Sequence, residues 1–569
     1  MSVRILSVLV LVSLTISCAS GGVRDTTHSP LASSRVLLTG GVIYTANNGQ
    51  FAEAFVMDHG EILAVGTNQE IAAFATADAQ RIDLKGRLVL PGLHDSHTHI
   101  LEGHMPLSGT CYVRAGRAPN ELVNALTRCA PYQQVLDWVL GYGWDIYSFL
   151  ESDDDPLTAI DAAIPDRPAA IMEETSHAVW VNSMALDALR IDATTPNPPG
   201  GIIAKDQYGR PNGLLIDNAG DLAFEAALTR TPRVDEAHYN GLLDGLDSLA
   251  RNGITSFVDA RAYWTRGYHE FYERADVENQ LTARALLSLW AYPQMDDSVQ
   301  IAELTRLFSN SSNNGVRRSQ IKVYVDGIIG NTTARTISPY LIDYGFGTTK
   351  GLNYFDEDRL AGLIIALEPI GYDFHIHAIG AGGVRDALNA IERARSANPD
   401  LEPRHRLTHV EYVHPDDIPR FRSLGVIADI QLAGAFTDPK RFAQYNRPFI
   451  GASNPALPLP ARALIDAGAL VTLSSDFDVS PLNPFIGIEN AVTRSRDALS
   501  VREAVDGYTI NAAFLMRQED RVGSIEVGKR ADFVVVDQNI FTIDPERIDD
   551  TEVVLTVLDG NEVFRSPSY

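Results

Sequence analysis

The sequence predicts an α/β fold: a (β/α)8 TIM barrel with a small β-sandwich domain built from both chain ends and a subdomain inserted after strand 1. Three patterns lead there. Eight short apolar runs, at 89–100, 254–260, 283–290, 320–326, 373–379, 406–412, 426–431 and 470–476, alternate with amphipathic stretches such as 356–369, 384–396, 416–424 and 460–467. Parallel strands joined by crossover helices have that alternation. Both chain ends are instead dense in short β-patterned runs separated by turn residues. The stretch between the first two strand candidates, about 105–250, is too long for a loop inside a compact domain.

In chain order, residues 1–18 read as a secretory leader, with Arg4 ahead of an apolar run at 5–16 that is too short to span a bilayer comfortably. The run ends Leu14-Thr15-Ile16-Ser17-Cys18, which resembles a bacterial lipobox and would make Cys18 the lipidated N-terminus. With Ala19 behind the cysteine, this points to export and anchoring in the outer membrane, facing the periplasm. Cleavage after Ser20, giving a soluble periplasmic or secreted protein, is the alternative. Residues 19–34, rich in Ser, Gly, Thr and Pro, form a linker. Residues 35–88 and 524–569 make the sandwich, with tight turns at Asp58-His59-Gly60 and Asp559-Gly560-Asn561. Residues 89–523 make the barrel and its insertion. Within the insertion Cys111 and Cys129 either close a disulfide loop, worth ~3 kcal/mol in an exported protein, or remain two buried thiols. Trp138, Trp144 and Trp180 either cover the barrel mouth or form the core of the inserted part.

A chain of 569 residues that is 45% hydrophobic can bury a large core, which excludes a disordered or fibrous protein. Its net charge of -26 repels phosphate, which argues against nucleic acid or anionic lipid as a partner. The membrane therefore enters only through the leader, and the partner expected is a small-molecule substrate.

Strand parity locates the chemistry. His97 and His99, two apart, point to one face of the first strand and can offer two imidazoles to one metal ion. In the fourth strand Lys322, Tyr324 and Asp326 share a face while Ile321, Val323 and Val325 take the other. His375 and His377 share a face in the fifth, His409 stands alone in the sixth, and Thr472, Ser474 and Asp476 point inward in the eighth. Neutral imidazoles with a carboxylate suit zinc or manganese. A buried lysine is costly, so Lys322 is either a carbamate, formed with carbon dioxide and able to bridge two metals, or the partner of Asp326 or another carboxylate. His94 is out of phase with the histidine pair and reads as structural, while His104, His405 and His414 read as loop or surface residues.

The chain here resembles the amidohydrolase superfamily, and within it the YtcJ-like branch that includes N-substituted formamide deformylases. The resemblance runs from about residue 35 to the C-terminus. It rests on Pro91-Gly92-Leu93-His94-Asp95-Ser96-His97-Thr98-His99, His177-Ala178-Val179-Trp180-Val181-Asn182-Ser183, Pro199-Gly200-Gly201, Lys322-Val323-Tyr324-Val325-Asp326-Gly327, His377-Ala378-Ile379-Gly380, Arg404-His405-Arg406-Leu407-Thr408-His409, Ser475-Asp476 and the stretch from Gly523 to Asp532. By position it implies that His97 and His99 bind one divalent metal and His377 and His409 another. Lys322 would bridge them as a carbamate, and Asp476 would ligate a metal and carry a proton. A single-metal site with unmodified Lys322 is the variant, and zinc is the first expectation, with manganese or iron as alternatives. His375 falls behind the ligands. Ala381, Asp478 and Asn331-Thr332-Thr333 depart from the family pattern in loops that touch substrate.

Metal binding lowers the pKa of water toward ~7, giving hydroxide at neutral pH. The reading is a hydrolase in which this hydroxide attacks the C–N carbon of a small amide and Asp476 shuttles the proton. His177, Tyr324 and Asp326 are candidate substrate contacts. The same centre permits heterocycle deamination or cleavage of an ester or N-acyl amino acid. An exported metal- or solute-binding lipoprotein without catalysis is the reading outside enzymes.

Overall fold

The computed structural model describes residues 35–105, 111–133, 136–311, 315–495 and 497–567. The leader, lipobox and linker expected over 1–34 lie outside the described residues.

Eight parallel strands form one sheet in sequential order: β1 (Leu93–Thr98), β2 (Ile254–Ala262), β3 (Arg284–Trp290), β4 (Val316–Tyr324), β5 (Asp373–Ala378), β6 (Arg406–His409), β7 (Ile427–Gln431) and β8 (Val471–Ser474). The sheet nearly closes on itself. A parallel bridge joins Thr98 to Phe477, and Asp476 N–H donates to the His97 carbonyl at 2.9 Å. Outward residues Ile321 and Val323 pack with Leu360 and Ile364 of helix Glu357–Leu367 and with Val384 and Leu388 of helix Ala381–Ala397 in one core cluster. Full burial of each such side chain contributes roughly 1.5–3 kcal/mol. Asp356 starts the first of these helices by accepting from Arg359 N–H at 2.8 Å. Gly425, at φ +67°, ends helix Ile418–Leu424 in the left-handed conformation that only glycine adopts freely, so β7 can begin two residues later.

The first strand candidate, 89–100, is two strands rather than one. Leu88–Pro91 pairs with Val42–Tyr44 and Phe533–Val536 in a six-stranded sheet drawn from both chain ends, and β1 starts only after Gly92. A Cβ at Gly92 would fall 2.2 Å from Thr255 Oγ1, so the backbone crosses β2 too closely for any side chain. A four-stranded sheet, ordered Glu61–Gly66, Ala54–Asp58, Val36–Thr39 and Gln80–Asp83, shares an apolar cluster with the six-stranded one through Val36, Phe55, Val89, Phe533 and Leu555.

Between β1 and β2 a separate five-stranded sheet forms from Val139–Trp144, Ala169–Glu173, Ala178–Val181, Gly201–Lys205 and Pro211–Asp217. Trp144 and Trp180 are fully buried in its core, with ring centroids 5.7 Å apart. Cys111 and Cys129 are disulfide-bonded, Cα to Cα 5.4 Å. Helix Pro232–Arg251 already packs on β2, so the chain returns to the barrel well before residue 250.

Candidate functional site

The C-terminal ends of the barrel strands bring the histidines together. Asp476 lies just past β8 at φ +57°, and its Oδ1 is 3.2 Å from His97 Nε2 and 3.3 Å from His99 Nε2. Its other oxygen is 3.8 Å from His409 Nδ1. His409 and Val410 also have positive φ, at 72° and 48°. Three non-glycine residues held there, each at a cost of order 1–3 kcal/mol, mark a strained rim around the histidines. The His409 ring centroid is 5.0 Å from His97 and 4.5 Å from His377.

Beneath this rim the polar groups interlock. Asp429 is wholly buried and accepts from Ser96 (2.7 Å), Thr472 (2.8 Å), Ser474 (3.0 Å), Thr408 (3.1 Å) and Gln431 (3.3 Å). Because the Thr408 hydroxyl donates to Asp429, its oxygen is left to accept from His97 Nδ1–H at 2.8 Å. That tautomer frees the His97 Nε2 lone pair on the Asp476 side. His375 Nε2 sits 2.9 Å from His97 Nδ1 and 3.4 Å from Lys322 Nζ. Lys322 is fully buried, and no carboxylate lies within 4 Å of its amine among the described residues, so the alternative pairing, with Asp326 or another carboxylate, is not formed. Its Nζ lies over the Tyr324 ring at 5.1 Å.

Burial and the neighbouring Lys322 push the His97 imidazole well below its ordinary pKa, and burial pushes His377 and His375 down and His409 to about 3. Burial likewise drives the Lys322 amine far below the usual lysine range. For Asp476 burial opposes ionisation, but contacts with His97 and His99 outweigh it and hold the carboxyl well below its ordinary value. His99 also meets Glu102 at 3.4 Å, which is itself paired with Arg261 at 3.0 Å.

These residues fit a divalent ion. His97 Nε2 and His377 Nδ1 are buried ring nitrogens with no hydrogen-bond partner, each a cost of roughly 1–3 kcal/mol if left so. His97, His99 and Asp476 present donor atoms within 4.8 Å of one another, as do His97, His375 and Asp429. Neutral imidazoles plus a carboxylate make a zinc-type donor set.

The other candidates take different places. His177, from the inserted sheet region, reaches the mouth with its Nδ1 2.6 Å from Asp217 Oδ1 and its ring 5.3 Å from His377. Tyr324 stacks on His377 at 4.1 Å and sits beside Arg261, so it packs under a histidine rather than into the open space. Asp326 lies two residues beyond the end of β4 and turns away from solvent. Its oxygens accept from Ile379, Gly380 and Arg335 N–H at 3.0, 2.9 and 2.8 Å, while burial pushes its carboxyl up to about 7. His405, expected at a loop or surface, is fully buried, because its Nδ1 accepts from Phe374 N–H in β5 at 3.0 Å and its Nε2 lies 3.4 Å from Glu368, just past helix Glu357–Leu367. His94 Nδ1 pairs with the Gly92 carbonyl at 2.9 Å. Asp429 and Gln431 escaped the sequence reading, although both share a face of β7 opposite Ala428 and Ile430. Above the histidines opens a cavity of about 710 Å3, lined by His177, His377, His409, Asp476 and Gln431 together with Glu174, Glu411 and apolar side chains.

Comparison with known proteins finds relatives along most of the chain. The chain is 28% identical to YtcJ of Bacillus subtilis (strain 168), over 92% of this chain and 98% of that one. It is 27% identical to the N-substituted formamide deformylase of Arthrobacter pascens, over 90% and 94%. An uncharacterized metal-dependent hydrolase from Pyrococcus furiosus shares the fold at a TM-score of 0.68 and 23% identity, covering 89% of this chain and all of that one. Residues 80–564 match the family model described as the amidohydrolase family, and the chain belongs to that family.

Proposed function

We propose that this protein hydrolyses a non-peptide C–N bond of a small amide. His97, His99, Lys322, His377, His409 and Asp476 would hold one or two divalent ions, with zinc the first choice. One observation carries the reading: a buried carboxylate reaches the imidazoles of His97 in β1 and His99 just past it within 3.3 Å at the mouth of a parallel barrel, with His377 and His409 lining the space beside it. Similarity to a protein named N-substituted formamide deformylase supports an amide-type bond. When bound, such an ion polarises a carbonyl and lowers the pKa of water.

The chain's own residues supply the rest. Asp476, kept ionised, takes the proton of the attacking water on its carboxylate and passes it to the departing nitrogen. His177, oriented by Asp217, leaves Nε2 to meet the substrate. Burial favours the neutral form of the Lys322 amine, the form that adds carbon dioxide, and a carbamate would convert it from a stranded amine to an anionic ligand. Around this site we read residues 35–88 and 524–569 as a β-sandwich and the five-stranded sheet as an inserted subdomain, in an exported protein anchored through Cys18.

The test is to assay metal-reconstituted protein against N-formyl, N-acyl and cyclic amides, following amine and carboxylate together. Metal-dependent release of both supports the reading. Silence across the panel at full metal occupancy, or ammonia release from an amino-heterocycle without a carboxylate product, overturns it.

A further inference from the structure

The cavity above the histidines selects by charge. Its walls are largely apolar, from side chains such as Ile329, Phe442 and Ile486, but besides Asp476 two carboxylates, Glu174 and Glu411, also face it. Neither forms a hydrogen bond or an ion pair through its carboxylate among the described residues, and no lysine or arginine lines the cavity. Burial, with Asp326 and Asp476 nearby, pushes the Glu411 carboxyl up to about 8, and the geometry leaves it without a counter-charge.

A second observation points to a donor-bearing ligand. Gln431 is 4% exposed, and its amide nitrogen donates to Thr408 at 2.9 Å and Ser474 at 2.8 Å, with Asp429 alongside. Those acceptors fix the orientation of the amide. Gln431 Oε1 is left buried and without a partner at the cavity wall. An N–H donor arriving with the ligand would satisfy it.

Resting on the proposed amide hydrolysis, we infer that the substrate is an amide carrying a second, positively charged nitrogen, received by Glu411 and Glu174, and that carboxylate-bearing substrates such as N-acyl amino acids are rejected. Away from the proposed metal site, a carboxylate brought beside Glu174 and Glu411 finds no lysine or arginine among the lining residues and adds a like charge. An ammonium group supplies the hydrogen-bond donors and counter-charge that both carboxyls lack.

Three N-formyl compounds of equal length, ending in a primary ammonium, a methyl and a carboxylate group, test this with metal-loaded protein. Hexylammonium, hexanol and hexanoate serve as non-hydrolysable probes in calorimetric titrations. The expected order of kcat/KM is ammonium, then methyl, then carboxylate, with at least tenfold between the ends, and hexylammonium should bind at least tenfold more tightly than hexanol. Glu411→Gln is expected to reduce both ratios severalfold, and Glu174→Gln, on another element, gives an independent check. Equal rates, preference for the carboxylate compound, or ratios that survive both substitutions overturn the inference. If no amide is hydrolysed but hexylammonium still binds in a Glu411-dependent way, the charge selection stands and the proposed reaction falls. Hydrolysis without charge preference gives the converse.

Discussion

Replacing Asp326 by alanine should damage the fold of the site before it damages substrate binding. The carboxylate is fully buried and accepts three backbone N–H groups, two from the segment after β5 and one from the loop after β4. It thereby ties together the ends of the strands that carry Lys322 and His377. Truncation strands three donors, at roughly 1–3 kcal/mol each, a ceiling of about 9 kcal/mol; relaxation and water entry bring the expected loss to about 3–6 kcal/mol. Asp326→Asn keeps one acceptor oxygen but turns an NH2 toward a donor, so it should lose less than alanine without recovering the parent. Urea unfolding followed by circular dichroism and by tryptophan fluorescence measures both variants. An Asp326→Ala protein within about 1 kcal/mol of the parent, with only its KM raised, would refute the structural role and restore Asp326 as a substrate contact.

Three further outcomes follow from the same geometry. Asp476→Asn removes the proton carrier and one anionic donor, so turnover should fall by about 10²–10⁴ and metal content should drop in elemental analysis; full turnover would contradict the assignment. Thr408→Val deletes the acceptor that holds His97 Nδ1–H and should weaken metal affinity by about 10–100-fold, read by competition with a chromogenic chelator, whereas unchanged affinity would show that Thr408 does not orient the ring. For His99 burial disfavours the proton, but Asp476 and Glu102 outweigh it and raise the imidazole to about 9. The metal-free side chain is therefore protonated at neutral pH and must lose that proton to bind metal, so affinity falls as pH drops below 9, approaching about tenfold per unit, with about one proton released on loading. Calorimetry in buffers of differing ionisation heat counts that proton, and zero release would contradict the shift.

Much of this was legible in the sequence because the barrel repeats one physical pattern. Apolar faces packed beneath helices had to alternate with inward polar residues, so all eight barrel strands and the convergence of His97, His99, His377, His409 and Asp476 could be read from parity. Past the strand ends parity held for His99 and Asp476 but failed for Asp326. Asp326 lies past the end of β4, where the chain turns, and its side chain faces backbone donors rather than the cavity. Gly92 hid a break inside one apolar run, because the reason for it is a close crossing over Thr255, more than 160 residues away. Asp429 carried the same alternation signal as the other inward residues and could have been found by applying parity to β7. The Glu102–Arg261 pair joins positions 159 apart and leaves no local trace.

The most direct test of a metal centre is anomalous diffraction from zinc-loaded crystals, collected on both sides of the zinc absorption edge. A peak about 2.0–2.1 Å from nitrogens of His97 and His99, with an Asp476 oxygen in the same shell, is the expected result. A peak elsewhere, or none from protein shown to carry stoichiometric zinc, would contradict it.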